Sequence, residues 1–238
     1  MPSPTNLARL FGIFFILTFV SYGIGSTLTH TILDYPLMLV NVYENKGAFV
    51  IGIVLMTLIH SVFNLALPII LLPIIKPYHT GFSYGYFSFT IMATLLLTIG
   101  GLLLLVILPL SNDYATSNFA SLNSIELIAN LLIKGNFYAY HLGMCFWGVG
   151  SLMLTFILFQ SRLIPKAMSI WGMMGYLILI VGSLSQLFAQ NAAIEVYSVA
   201  LGGSFEICLS LWLIVKGLNH KQSKNQSKNE IQFKMNEL

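Results

Sequence analysis

Three ionisable side chains, His60, His141 and Glu206, lie inside long apolar stretches of this sequence. Ionisable groups are costly in hydrocarbon, so within membrane helices they usually face the interior of the bundle and find polar partners. Glu206 is the one carboxylate that lies well inside such a stretch. A glutamate close to a histidine can bind a polar ligand or relay a proton, and these are the two activities that the residue types suggest.

The stretches that position these residues are long enough to cross a bilayer. The chain is 57% hydrophobic and only 8% charged, with a mean hydropathy of +0.83. An ordinary soluble domain is about 25% charged, so a water-soluble globule is excluded. A hydrocarbon core of about 30 Å needs about 20 apolar residues per helix. The sequence therefore predicts an all-α bundle of six transmembrane helices, at residues 8–28, 49–75, 84–109, 137–160, 168–188 and 197–217.

The basic residues predict that both termini are cytoplasmic. In that orientation nine of the eleven lysines and arginines lie inside, and only Lys46 and Lys134 lie outside. We expect a multi-pass protein of the cell membrane with one transmembrane domain, 1–218, and a flexible basic cytoplasmic tail, 219–238. The nine inner residues are Arg9, Lys76, Arg162, Lys166, Lys216, Lys221, Lys224, Lys228 and Lys234.

Two outer connections carry helical patterns of their own. In residues 119–134, apolar and polar side chains fall on opposite faces of a helix, which predicts an interfacial helix. That helix is a candidate lid over the bundle, and the alternative is a helix that only covers the ends of the spans. Residues 37–46 predict a second, shorter helix that ends at Gly47.

Depth in the membrane favours His60 as the partner of Glu206. At 1.5 Å per residue, Glu206 lies about 14 Å and His60 about 17 Å from the outer boundary, whereas His141 lies only about 6 Å deep. His141 and Glu206 therefore differ by roughly 8 Å in depth. We expect His60 and Glu206 to face the same region of the bundle.

Asn64 completes the candidate site. It is spaced to share one helix face with Thr57, His60 and Ser61, and Pro68 follows on that face. A proline leaves the carbonyl four residues earlier without its helical donor, so Asn64 offers a free backbone acceptor beside its amide. The candidate residues for ligand or proton binding are thus Glu206, His60, Asn64 and His141.

Glycines inside the apolar stretches predict close helix packing. They are Gly202 and Gly203, one turn before Glu206, and the pairs Gly23/Gly25 and Gly148/Gly150.

Three functions are compatible with these residues. The first is a non-enzymatic protein that binds or moves a small ligand or a proton at mid-membrane. The second is a structural or immunity-type protein that acts by binding another membrane component, for example through its outer loops, while the polar residues inside the spans fix helix packing. The third is an intramembrane enzyme with histidine and glutamate as base and acid. No dinucleotide, phosphate-loop, nucleophile-elbow or zinc motif occurs in the sequence, so we expect neither cofactor nor metal.

The expected partners follow from the same composition. A net charge of +3 is too small and too dispersed for nucleic-acid binding. We expect the lipid bilayer and a small-molecule ligand as partners.

The stretch from His141 to Tyr176, HLGMCFWGVGSLMLTFILFQSRLIPKAMSIWGMMGY, resembles a bacterial membrane family catalogued as domain of unknown function 4386. The start LARLFGIFFIL, the LPIIKPY turn and the close EICLSLWLIVKG resemble other recurrent pieces of that family. The similarity covers nearly all of residues 7–218. It implies a compact multi-helix membrane fold and carries no activity, substrate or cofactor with it.

The resemblance also implies roles for single positions. Glu206 matches an acid that members often place before a Leu-Trp-Leu run. Members often have an acid at the position of Asn64, an arginine near Phe89 and Thr90, and a histidine at the position of Gly150. This chain lacks those three charged or titratable groups.

The predicted topology can be tested with a reporter fused after Leu238. We expect a reporter that is active only in the cytoplasm to be active in this fusion, because the basic residues gather at the inner loops. An external carboxyl terminus would contradict the six-span arrangement.

Overall fold

The computed structural model describes residues 3–34, 37–116, 122–188 and 192–219. Within these ranges the chain is almost entirely helical and has no β-strand. Six helices are long and apolar enough to cross a membrane, so the chain is a polytopic, multi-pass membrane protein, as predicted. They are span 1 (Pro4–Leu33), span 2 (Lys46–Ile75), span 3 (Thr80–Thr116), span 4 (Leu122–Ser161), span 5 (Lys166–Phe188) and span 6 (Val196–Val215).

The six spans form a closed ring. Each span packs against the next one in the sequence, and span 6 packs against span 1. Because successive spans alternate in direction, span 1 begins and span 6 ends at the same end of the ring, here called the terminal end. The opposite end, here called the loop end, carries a short helix, Met38–Glu44. The orientation of the ring relative to the cytoplasm stays a prediction.

The structure differs from the expected interfacial helix. Residues 122–134 are the first turns of span 4, a continuous helix of 40 residues and about 60 Å. The helix continues through Gly135, where an added Cβ atom would lie 2.8 Å from the side chain of Leu103 in span 3. Residues 119–121 of the predicted helix, and residues 220–238 of the predicted tail, lie outside the described ranges.

The short helix predicted for residues 37–46 exists as Met38–Glu44. It ends before Gly47, which lies inside span 2 instead of ending the loop helix.

Two apolar cores hold the ring together. The first fills the terminal half of the ring, where Phe11, Leu71 and Leu209 are almost completely buried. The second lies at the loop end, where the Met38–Glu44 helix packs against the extended ends of spans 3 and 4. The helix formed by residues 122–134 therefore has an apolar face that covers this second core and a polar face that points away from it.

Small residues bring neighbouring spans close together at several of the interfaces between adjacent spans, here called seams. A Cβ atom at Gly12 would lie 2.6 Å from the carbonyl oxygen of Ser210, and one at Gly25 would lie 2.5 Å from that of Gly52. A Cβ atom at Gly175 of span 5 would lie 3.3 Å from Cα of Gly202, so the two backbones also approach closely there. The predicted close packing is thus confirmed for Gly25 and Gly202.

Of the other glycines predicted to pack closely, two do so and two do not. Gly148 and Gly150 are in close contact with Ile180 and Phe89, as expected. Among the described residues, a Cβ atom at Gly203 would meet Phe19 alone, at 3.8 Å, and one at Gly23 would have no neighbour within 4 Å. The ring is therefore tight at most seams and open at Gly23.

The contrast between Gly25 and Gly23 predicts opposite effects of one substitution. Gly25→Ala forces spans 1 and 2 apart and should lower the unfolding free energy by about 1–3 kcal/mol. Gly23→Ala meets no atom and gains helix propensity, so it should be neutral or stabilising by up to about 1 kcal/mol. Thermal unfolding of the detergent-solubilised variants measures both. Equal destabilisation by the two substitutions would contradict the packing described.

Candidate functional site

A cavity of about 270 Å³ lies inside the ring, and all six spans contribute to its wall. Most of the wall is apolar or aromatic. The polar side chains are few and include Glu206, His60 and Asn64, three of the four candidates from the sequence. The lining residues are Phe15, Thr18, Phe19, Tyr22, Gly23, His60, Asn64, Ala93, Leu97, Tyr140, Met144, Trp147, Leu179, Val199, Gly202, Gly203 and Glu206.

The cavity ends at the level of Glu206. On the terminal side of that level the ring is filled by buried apolar side chains from four spans. The cavity therefore has no path to the terminal end in this conformation. The filling residues include Ala8, Phe11, Leu71, Ile75, Leu158, Leu209 and Leu213.

Glu206 is held by two aromatic donors from neighbouring spans. The indole Nε1–H of Trp147 in span 4 donates to Glu206 Oε1 at 2.7 Å. The hydroxyl of Tyr176 in span 5 donates to the same oxygen at 2.8 Å. A carboxyl oxygen has two lone pairs and accepts both bonds. Among the described residues no donor contacts Oε2, so the second oxygen remains for the cavity.

Two further polar side chains, Ser151 and Tyr86, lie near Glu206 and its two donors. Ser151 lies within hydrogen-bonding reach of the Tyr176 hydroxyl, and Tyr86 is close enough to Glu206 to interact with it electrostatically. The Tyr86 hydroxyl is buried and, within the described part of the chain, makes no hydrogen bond. Glu206 is thus the centre of a cluster in which one tyrosine donates and the other does not.

His60 faces the cavity with one ring nitrogen already engaged. Its Nδ1 lies 3.2 Å from the carbonyl oxygen of Thr18 in span 1. A carbonyl can only accept, so Nδ1 carries the proton, and in the neutral ring Nε2 is then an acceptor. Nε2 is buried and has no partner in the described ranges. The cavity wall therefore contains a second acceptor, and this atom is covered by its neighbours in the present conformation.

A π-helical turn, Leu55–Ile59, comes directly before His60. The backbone N–H of His60 donates to the carbonyl oxygen of Leu55, five residues back. Such a turn accommodates one extra residue, which changes the phase of the helix by roughly 100°. It lets the first half of span 2 pack its small residues on span 1 while His60 points into the ring.

Aromatic rings surround His60 on the loop side. Tyr22 packs edge-on against the imidazole with centroids 5.2 Å apart, and it stacks on Tyr140 at 6.1 Å. These contacts fix the ring of His60 from spans 1 and 4. The histidine is consequently oriented by its neighbours before any ligand is present.

Asn64 lines the cavity but uses its amide elsewhere. Its Nδ2 donates to Thr94 Oγ1 at 2.9 Å, and Thr94 donates in turn to the carbonyl of Thr90. Ser61 likewise contacts Thr98 of span 3. Much of the polar face predicted on span 2 therefore packs against span 3, and His60 lies beside that face.

His141 does not line the cavity. It is buried against Phe137 and Tyr140, with ring centroids 4.4 and 5.1 Å apart. It lies six residues before Trp147 on span 4, which is about 9 Å along the helix and matches the expected depth difference from Glu206. The structure thus brings three of the four candidate residues to one cavity and leaves the fourth outside it.

Glu206 and His60 share the cavity without a hydrogen bond between them. The partners of Glu206 are instead Trp147 and Tyr176, which sequence reasoning missed. A signal for them exists, because a tryptophan N–H or a tyrosine hydroxyl usually finds an acceptor when it is buried. Both residues lie inside apolar spans, where Glu206 is the strongest acceptor available.

The structure contains no group of three or more His, Cys, Asp or Glu side chains able to hold a metal ion within the ranges it describes. Among the described lining residues, Glu206 Oε2 and His60 Nε2 are acceptors that receive no hydrogen bond, and most of the wall around them is apolar. They suit an organic ligand with a hydrogen-bond donor.

The fold defines the class of protein: a six-span helical membrane protein with a cavity inside the ring. The family model described as Domain of unknown function (DUF4386) matches residues 10–217, so the chain belongs to that family. Neither a curated protein nor a solved structure matches the chain.

The positions that the family resemblance singled out, Asn64, Phe89, Thr90 and Gly150, are neighbours in this structure. A Cβ atom at Gly150 would lie 2.9 Å from Cβ of Phe89 and 3.7 Å from the backbone nitrogen of Thr90. Asn64 is connected to Thr90 through Thr94. In this chain the region is filled by close helix packing and a hydroxyl–amide network.

The two tyrosines near Glu206 provide a matched test. Tyr176→Phe removes a donor to Glu206 Oε1, so it should lower the unfolding free energy by about 1–3 kcal/mol. Tyr86→Phe removes a buried hydroxyl that makes no described hydrogen bond, so it should be neutral or stabilising. The two variants are matched because each removes one hydroxyl group from a tyrosine that is about 1% exposed. A larger loss for Tyr86→Phe in thermal unfolding would contradict the assignment.

Proposed function

We propose that this protein binds a small, largely apolar ligand that carries a hydrogen-bond donor, such as an alcohol or an amine. The observation that carries the proposal is that a cavity reaches Glu206, while the hydrogen bonds that the described residues make to its carboxyl group all go to Oε1. His60 Nε2 adds a second acceptor on the same wall. Burying unpaired polar groups costs free energy, so a ligand that donates to them is stabilised.

The size of the cavity supports a small ligand. An engineered apolar cavity of about 150 Å³ binds benzene, and the cavity here is about 270 Å³. Apolar walls with a few well-placed polar groups are typical of small-molecule sites. The apolar lining favours a hydrocarbon body, and the two acceptors favour a donor head group.

We propose binding ahead of catalysis and transport because it requires only the cavity and the unbonded carboxyl oxygen. Catalysis also needs a group placed on a reacting atom, and transport needs a second conformation that opens the cavity to the other end. The apolar core on the terminal side also separates the cavity from that end of the ring. We propose location in the cell membrane with cytoplasmic termini, supported by the distribution of basic residues.

A thermal-shift experiment tests the ligand class. Octanol should raise the Tm of the detergent-solubilised protein, and heptyl methyl ether, which has the same number of heavy atoms but no donor, should raise it much less. Glu206→Gln should abolish the octanol shift, because its amide can keep the oxygen toward Trp147 and Tyr176 and then presents N–H groups to the ligand donor.

The matched control is Glu126→Gln, which makes the same exchange at an exposed glutamate bonded to Tyr114 outside the cavity. It should leave the octanol shift intact. An equal shift with the ether, or an unchanged shift in Glu206→Gln, would sink the proposal.

A further inference from the structure

Spans 1 and 6 are in contact at two levels that define their alignment. Gly12 lies against Ser210, and Phe19 lies against Gly203. The spans are antiparallel, and seven residues separate the contacts on each helix. Continuing this alignment by four residues brings Gly23 opposite Val199 in the half of the seam nearer the loop end.

The seam is open at that level. A Cβ atom at Gly23 would have no neighbour within 4 Å among the described residues, and Gly23 is exposed. Val199 is 40% exposed. Both residues also line the cavity. The cavity therefore reaches the outer surface of the ring between these two helices.

Neighbouring seams are closed at the corresponding level. Span 1 is packed against span 2 where Gly25 meets Gly52 and Met56, and span 5 is packed against span 6 where Gly182 meets Ser198. At this level span 1 is held against span 2, and span 6 is held against span 5. Within the described ranges, the opening therefore lies between spans 1 and 6 and not between either of them and its other neighbour.

The rim of the opening is apolar. Val20 and Ile24 of span 1 and Val196 of span 6 are 47%, 51% and 65% exposed on the outer surface of the ring. Exposed aliphatic side chains on a membrane span face hydrocarbon. The opening thus faces the acyl chains of the leaflet nearer the loop end.

We propose that the ligand is a single-chain amphiphile dissolved in the bilayer and that it enters sideways between spans 1 and 6, with its hydroxyl or amine directed to Glu206 and His60. This inference rests on the proposed function and adds the source of the ligand and its route. The apolar rim admits a hydrocarbon chain without desolvating charge, and the two acceptors inside select a donor head group.

Trp147 provides the readout. It is only 7% exposed and lines the cavity, so an acyl chain in the bulk bilayer does not reach it. The experiment uses the full chain with Trp171→Phe and Trp212→Phe, reconstituted in phosphatidylcholine vesicles. The probe is dibromo-octadecanol, whose bromine atoms quench a tryptophan on contact, and the unbrominated alcohol is the blank.

Quenching of Trp147 should follow addition of the probe, and narrowing the opening should slow it. Gly23→Phe and, independently, Val199→Phe should each reduce the quenching rate by about tenfold or more. Gly47→Phe is the matched control, because a Cβ atom there also has no neighbour within 4 Å and Gly47 lies away from the cavity. It should leave the rate unchanged. Aqueous iodide should not quench Trp147.

The outcomes separate the two proposals. Wild-type rates in both Gly23→Phe and Val199→Phe, or quenching by iodide, would overturn lateral entry, while an octanol-dependent rise in Tm would leave the proposed function standing. If one phenylalanine variant does not fold, the other decides. Absence of both probe quenching and the octanol shift in the unmodified site would overturn the two proposals together.

Discussion

A carboxyl group among membrane helices must obtain its hydrogen bonds from the protein, and this requirement organises the ring around Glu206. Its Oε1 accepts from Trp147 and Tyr176, so one atom of span 6 is bonded to spans 4 and 5. Each such bond to a buried acceptor contributes about 1–3 kcal/mol, counted as the cost of losing it. Three of the six helices are thereby aligned at one level.

The same residue serves packing and ligand binding because its two oxygens have different surroundings. Both described donors bond to Oε1. Oε2 receives no hydrogen bond from the described residues, and Glu206 lines the cavity. Small residues decide where the cavity lies: glycine contacts close the seams around Gly12, Gly25 and Gly175, and the seam at Gly23 has no such contact. A structural cluster and a binding site are therefore two aspects of one arrangement.

Sequence reasoning predicted the six spans because long apolar runs have few alternatives in a chain with so little charge. It also predicted that Glu206, His60 and Asn64 lie near one another, since residue counts give depth along a helix. Depth does not give direction around the helix, and this is why Trp147 and Tyr176 were missed as partners of Glu206. The π-helical turn before His60 changes that direction without any sequence signal that we could identify.

The interfacial helix expected near residues 119–134 has a comparable explanation. An amphipathic pattern indicates that one face is covered, but it does not distinguish lipid from protein as the cover. Here Ala129 is buried in the loop-end core, and the described part of the segment continues into span 4. The amphipathic pattern thus indicates a covered face correctly, and the cover is the protein's own loop-end core instead of lipid.

The ring closes between its first and its last span, and this has a consequence for biosynthesis. Spans 4 and 5 are translated before span 6, so the Trp147 indole and the Tyr176 hydroxyl enter the membrane before their shared acceptor exists. Insertion of span 6 supplies Glu206 and completes the wall of the cavity in a single late step. A nascent chain that stalls before residue 206 therefore lacks the acceptor that Trp147 and Tyr176 share in the finished protein.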